Sequence, residues 1–381
     1  MSTLSKSHIF ADVEINKGRQ RELDVAKAVL LFFLVFIHCT IECTPDEQLS
    51  FGIPYLFDTV IGGPFSAPMY MFAMGVGMVY SRRTKPGDYV RRGVRIAYIG
   101  FALNICRFVI PFLIGFLITG DYNQYIDTLP YRLFGNDILQ FASLAMLIIG
   151  LLTCLHIPDV AMLLLCFGMS LLGTCLNGFD AGNSLGNIFL GYLIGTEDTA
   201  GMVLSDFPVL NWLLFPVSGY IFGRRLLHVR DKTRFYMSIS PICLLITAVY
   251  FTVGIHNGSG MFGEGQNCYY HLETPDAIAC LTLTVGMLGI YHWLTRHLPD
   301  RISGVIADIS RNINVIYCVH WVLVTVSINL ILFVVNGTQV LPVSAVMLIS
   351  LCISVFAILI SHFWSSKLKP MIIRRNNKLI P

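Results

Sequence analysis

Long apolar runs separated by short polar segments set the pattern of the chain. Ten runs approach or reach the length needed to cross a bilayer: 25–43, 64–81, 95–118, 138–156, 160–177, 207–223, 235–255, 277–295, 313–335 and 342–363. About 20 apolar residues span the hydrocarbon core, and a backbone in lipid must satisfy its own polar groups, so each run is predicted as a helix. The predicted fold is all-α: a polytopic integral membrane helix bundle of about ten transmembrane helices. One further apolar stretch, Ile188–Ile194 in the Gly-rich segment 178–206, is too short to span and is placed at the interface. The domain reading follows directly: an N-terminal segment over 1–24, a transmembrane body over 25–363 and a basic tail over 364–381.

Charge gives this bundle a sidedness, because Lys and Arg are retained on the cytoplasmic side. Of the 26 basic residues, all but Arg107 and Arg132 fall before or at the start of the first run, in or bordering alternate connections, or in the C-terminal tail. Both termini are therefore predicted to be cytoplasmic. Composition narrows the class further: 55% hydrophobic and only 13% charged residues exclude most soluble folds. A net charge of +3 gives no ground for a nucleic-acid partner. The eleven cysteines lie mostly within spans and no His/Cys cluster has ligand spacing, so no metal is expected. No small-residue cleavage site follows the first run, which is read as a permanent span. With no processed leader and no lumenal domain in view, a multi-pass protein of a bacterial inner membrane is the expected setting.

Four groups of polar residues sit where hydrocarbon penalises them, which makes them functional candidates. Asp24 and His38 lie 14 residues apart, on one face of the first helix and about 21 Å apart along its axis. His38 is either a core histidine bonded to a neighbouring carbonyl or a general base, since neutral imidazole takes up a proton near neutral pH. Arg107, in the middle of the third span, must face a partner acid, an anionic ligand or water. Arg91, Arg92 and Arg95 cluster where that span begins. Arg91 and Arg95, one turn apart, either anchor the helix or clamp phosphates. On the ninth span Asn314, Tyr317 and His320 or Trp321 form a polar stripe that faces a cavity or bonds to another helix.

These residues resemble a known group of proteins. Arg21-Glu22-Leu23-Asp24-Val25-Ala26-Lys27, with His38 closing the same span, is similar to the first helix of the polytopic membrane acyltransferases. Two branches share it: the catalytic-domain family of heparan-α-glucosaminide N-acetyltransferase and the acyltransferase-3 family. Met69-Tyr70-Met71-Phe72-Ala73-Met74-Gly75 resembles their second-span element. Asn136-Asp137-Ile138-Leu139-Gln140 and Asp206-Phe207-Pro208-Val209-Leu210-Asn211-Trp212 resemble elements of the heparan-type branch, which is the first choice. The Arg91 and Arg95 pair resembles the acyltransferase-3 donor site, which makes that family the second. The matching elements run in order through spans one to four, six and nine. Lys27 stands where these families have Arg, keeping the charge and losing its fork, and Asn211 stands where Pro is common.

The resemblance implies an acyltransferase-like membrane domain that moves an acyl group, usually acetyl, from acyl-CoA to a sugar hydroxyl or amine of a glycan. Acetyl-CoA would dock at the inner face on Arg91, Arg92 and Arg95, with Lys27 and Arg107 also assigned to the donor. The implied catalytic set is His38 as base with Asp24, Asn314, Tyr317 and His320, and Arg107 is a second candidate for orienting the acyl carbonyl. Direct transfer and passage through an acetyl-histidine are both open at this point. The expected partners are acyl-CoA, a carbohydrate acceptor and the bilayer. A secondary transporter or glycan flippase is the alternative, because intramembrane charges mark those proteins too, although no two matching halves are visible here.

Overall fold

The structure is a computed structural model and describes residues 9–196, 205–258, 261–262, 268–332 and 337–371. In chain order its main helices are α1 (Arg21–Cys43), α2 (Ala67–Val79), α3 (Pro86–Thr119), α4 (Ile138–Cys154), α5 (Asp159–Leu176), α6 (Leu214–Leu226), α7 (Lys232–His256), α8 (Thr274–Thr295), α9 (Asp300–Arg311), α10 (Ile313–Leu332) and α11 (Val343–Met371). No strand occurs among the described residues, and only three isolated bridges tie loop to loop. Seven helices, α1, α3, α5, α7, α8, α10 and α11, are long and apolar enough to cross a membrane. They fall on seven of the ten apolar runs. The other three runs hold α2, α4 and α6, of 13, 17 and 13 residues. The basic tail beyond residue 371 lies outside the described residues.

Proline explains where the helices deviate. Pro111 has no N–H to give the Arg107 carbonyl and its ring would collide with that group, so α3 widens to a π-helical turn over Ile105–Val109. A second widened stretch, Leu56–Ser66, contains Pro64 and leads into α2.

Contacts divide the chain into two compact units, Met1–Arg19 with Pro64–Trp293, and Gln20–Gly63 with Leu294–Pro381. In the first unit the core is built from α4, α5 and α6, with Phe141, Ile149, Cys166, Trp212 and Phe215 fully buried. The described part of the N-terminal segment straps onto the turn after α6: Ala11 N–H donates to the His228 carbonyl at 2.8 Å and Arg230 N–H to the Ile9 carbonyl at 2.7 Å. The segment predicted at the interface is tethered by side-chain amides. Exposed Asn183 caps the short helix Ser184–Leu190, buried Asn136 Nδ2 donates to the Gly191 carbonyl at 3.4 Å, and Ile188 is fully buried.

Helices α2 and α6 touch backbone to backbone. A side chain added at Gly75 would strike the Pro216 carbonyl, and one at Gly219 would strike the Phe72 carbonyl. Gly223, one turn further along α6, faces Val76 and Val79 of α2. Small residues four apart let membrane helices approach this closely, where dispersion and weak polar contacts replace the hydrophobic effect.

The second unit is assembled from α1, α9, α10 and α11 around Leu31, Ile316 and Ala357. Leu341 N–H donates to the Cys43 carbonyl at 3.0 Å and ties the start of α11 to the end of α1.

Candidate active site

In the second unit, helices α1 and α10 bring together residues 282 positions apart in the chain. His38 Nδ1 lies 2.9 Å from His320 Nε2. The two rings are nearly parallel, with centroids 5.1 Å apart. Trp321 stacks on the His38 ring at 3.9 Å, and Tyr317 meets His320 edge-on at 5.2 Å. His320 is fully buried and Tyr317 nearly so, whereas His38 is half-buried.

One assignment of tautomers satisfies both contacts when the two rings are neutral. His320 Nδ1 lies 3.3 Å from the Ile316 carbonyl. A carbonyl only accepts, so in that assignment Nδ1 of His320 carries its proton and Nε2 accepts from Nδ1–H of His38. Nε2 is then the basic nitrogen of His38. A histidine oriented through its other ring nitrogen is the arrangement that general-base catalysis needs.

The remaining catalytic candidates of this unit stand elsewhere. Asp24 is buried near the start of α1 and accepts from Ser310 Oγ at 2.6 Å. Asn314 is exposed on α10, one turn before Tyr317. Lys27 is half-buried on α1.

The first unit holds the other assigned cations. Arg107 Nη1 donates to Asp137 Oδ2 at 2.7 Å, with the two side chains only 12% and 17% exposed. The guanidinium also sits over the Phe108 ring, 4.6 Å from its centroid. Asp137 is the N-cap of α4, where a carboxylate also meets the positive end of the helix dipole. The charge in the third span is thus matched by a carboxylate. Asp137→Asn removes that charge and lowers stability by about 2 kcal/mol, read as a lower unfolding midpoint of the purified protein. An unchanged midpoint would show that the pair contributes nothing.

Arg91 and Arg95 are exposed on α3, while Arg92 is half-buried beside Tyr89. The Nη1 atom of Arg92 is buried and meets no hydrogen-bond partner among the described residues. The three arginines therefore occupy two faces of the helix. Among the described residues no group of three His, Cys, Asp or Glu is placed to hold a metal ion.

Ser310 carries no signal in the sequence before the packing is known, and Asp137 stands there only as part of the element Asn136–Gln140, not as the partner of Arg107. Trp321 stood beside His320 in the polar stripe, but its stacking on His38 depends on how α1 and α10 meet.

Comparison with known families gives one match: residues 20–361 fit the acyltransferase-3 profile, described as an acyltransferase domain. The matched stretch includes α1 through most of α11, in both units. Of the two branches that the sequence resembles, this is the second; the heparan-type branch is not shown. No curated protein compared with the chain matches it.

Proposed function

The chain belongs to the acyltransferase-3 family and is an integral membrane acyltransferase, and on that premise we propose that it moves an acetyl group from acetyl-CoA to a sugar hydroxyl or amine. The observation that carries the reading is the His38–His320 pair. In the proposed step His38 Nε2 takes the proton of the acceptor O–H or N–H as the acceptor atom attacks the thioester carbonyl. The C–S bond then breaks, and the departing thiolate takes the proton back from His38. Atoms balance: acyl-CoA and acceptor give acylated acceptor and free CoA. His320 holds the His38 ring, Trp321 limits its tilt, and the Tyr317 ring packs edge-on against His320. A thioester is already activated, so a base and a place for the developing oxyanion meet the main chemical needs.

In this proposal the chain forms ten spans with both termini cytoplasmic, in a bacterial inner membrane, and the donor arrives from the side carrying nearly all of the Lys and Arg. CoA bears several phosphate charges, and basic residues there supply the complementary field. Asp24, Asn314 and Lys27 are assigned supporting roles in the second unit, Asp24 through its bond to Ser310.

Donor recognition is tested by thermal unfolding of the purified protein with added acetyl-CoA. A ligand at one hundred times its Kd stabilises the folded form by about 2.7 kcal/mol. The expected result is a rise in midpoint that grows with ligand concentration. A transporter or flippase with no acyl-CoA chemistry gives no rise, and that result would remove the donor from the proposal.

A further inference from the structure

A cavity of about 900 Å³ opens in the first unit, bordered by the N-terminal segment, the ends of α2, α4 and α6, and the starts of α3 and α5. No residue on its wall was singled out from the sequence as a site residue. Its cations are Lys17, Arg224 and Arg225, set against Glu14 and Asp159, and His156 adds an imidazole. Arg224 and Arg225 share one carboxylate, that of Asp159, at 2.5 and 3.6 Å. Lys17 is paired with Glu14 at 3.2 Å. One guanidinium charge is therefore uncompensated within the wall. Half-buried Tyr80 supplies aromatic surface beside these charges, backed by the buried rings of Tyr89 and Tyr220.

A backbone observation points to a ligand here. His156 has a φ of 52°, a left-handed conformation that favours glycine. It closes α4: its N–H donates to the Thr153 carbonyl at 3.1 Å, and that of Ile157 to the Leu152 carbonyl at 3.1 Å. Glycine is the usual residue at that position of such a helix end. The chain has an imidazole there instead, on the cavity wall.

We propose that this cavity receives the adenosine phosphate end of the acyl-CoA donor. The inference rests on the acyl-CoA reading above and adds to it a location and a set of residues. The match is chemical: Arg224 and Arg225 offer planar forks to phosphate, Tyr80 and His156 offer faces to a purine, and Asp159 and Glu14 can accept from an exocyclic amine or a ribose hydroxyl. The volume falls within the range typical of small-molecule sites. Lys17, Arg224 and Arg225 all belong to segments that the charge distribution places on the cytoplasmic side, where CoA is found.

An anionic lipid headgroup also presents phosphate, so the test separates the two sources. The full chain is placed in nanodiscs of zwitterionic phosphatidylcholine, and binding of CoA and of its adenosine bisphosphate fragment is followed by calorimetry. The natural protein binds both, in competition with each other. Arg225→Glu weakens both by about tenfold or more. His156→Gly relaxes the backbone, keeps or raises the unfolding midpoint, and still weakens both ligands several-fold, which a purely structural role for His156 would not produce. If CoA binds the natural protein and both variants equally, the nucleotide end sits elsewhere and the donor reading stands. If CoA fails to bind the natural protein, the donor reading falls and this inference with it. If phosphatidylglycerol added to the nanodiscs stabilises the protein through Arg225 while the bisphosphate fragment does not bind, the cavity is a lipid site and the proposal is overturned.

Discussion

Gly219→Leu yields no folded protein. On α6 this residue faces the Phe72 carbonyl of α2 so closely that even a methyl group would collide with main-chain atoms, and Gly75 stands in the same relation to the Pro216 carbonyl. A flexible side chain can turn aside; a helical carbonyl cannot move without carrying its helix. The helices must therefore separate, losing dispersion contacts along Gly223, Val76 and Val79 as well. Overpacking a well-filled site costs about 1–3 kcal/mol, and a backbone collision exceeds that range. Folded proteins are stable by only about 5–15 kcal/mol, and parting α2 from α6 along this contact removes a large share of that. Gly168→Leu is the matched control, since a side chain there meets no atom of its surroundings within 4 Å. The expected outcome is a monodisperse, cooperatively unfolding Gly168→Leu variant and an aggregated or degraded Gly219→Leu variant in the same detergent. A well-folded Gly219→Leu protein would show that α2 and α6 are not in contact as described.

His38→Ala lowers acyl transfer by about 10³-fold while leaving the protein folded and able to bind donor. General-base assistance accounts for roughly 10²–10⁴ in rate, and in this site the base is proposed to be a nitrogen whose orientation is set 2.9 Å away by His320. The size of the loss depends on that orientation. His320→Phe keeps an aromatic ring but removes the acceptor of the His38 Nδ1 proton, so the His38 ring loses its fixed tautomer. Transfer by His320→Phe then falls less than by His38→Ala, and the loss appears in kcat rather than in KM, with a displaced pH profile. Equal kinetics for His320→Phe and the natural protein would limit His320 to packing.

How far the sequence foretells this depends on whether a property is local or relational. Of the ten apolar runs predicted as spans, seven hold helices long and apolar enough to cross a membrane, because each is fixed by its own residues. Hydropathy cannot say that α1 lies against α10, so His38 and His320 were candidates on separate helices until packing joined them. Arg107 required a partner acid, an anion or water, and any of several groups would have served. Asp137 is the one that the widened turn at Ile105–Val109 and the N-terminus of α4 bring within reach.

The elements that resemble the heparan-type branch include packing positions. Trp212 is fully buried and its indole N–H donates to the Tyr270 carbonyl at 2.6 Å. Asn211 Nδ2 donates to the Leu272 carbonyl at 2.9 Å. Gln140 lies across Gly100 of α3. Positions that hold a bundle together say little about which branch it belongs to, whereas the Arg91 and Arg95 pair pointed to the family that matches. The cavity around Arg224 and His156 was invisible for a different reason: its wall draws one or two residues from each of several segments, and no stretch of sequence contains it.

The most direct test of the account is transfer of label from acetyl-CoA. Purified protein in proteoliposomes is given acetyl-labelled acetyl-CoA and a mixture of candidate sugar acceptors, and label is followed into acceptor or protein, for the natural chain and for His38→Ala. Label appears on an acceptor with the natural chain and is lost with His38→Ala, under conditions where both bind CoA equally. Undiminished transfer by His38→Ala would overturn the base role of His38.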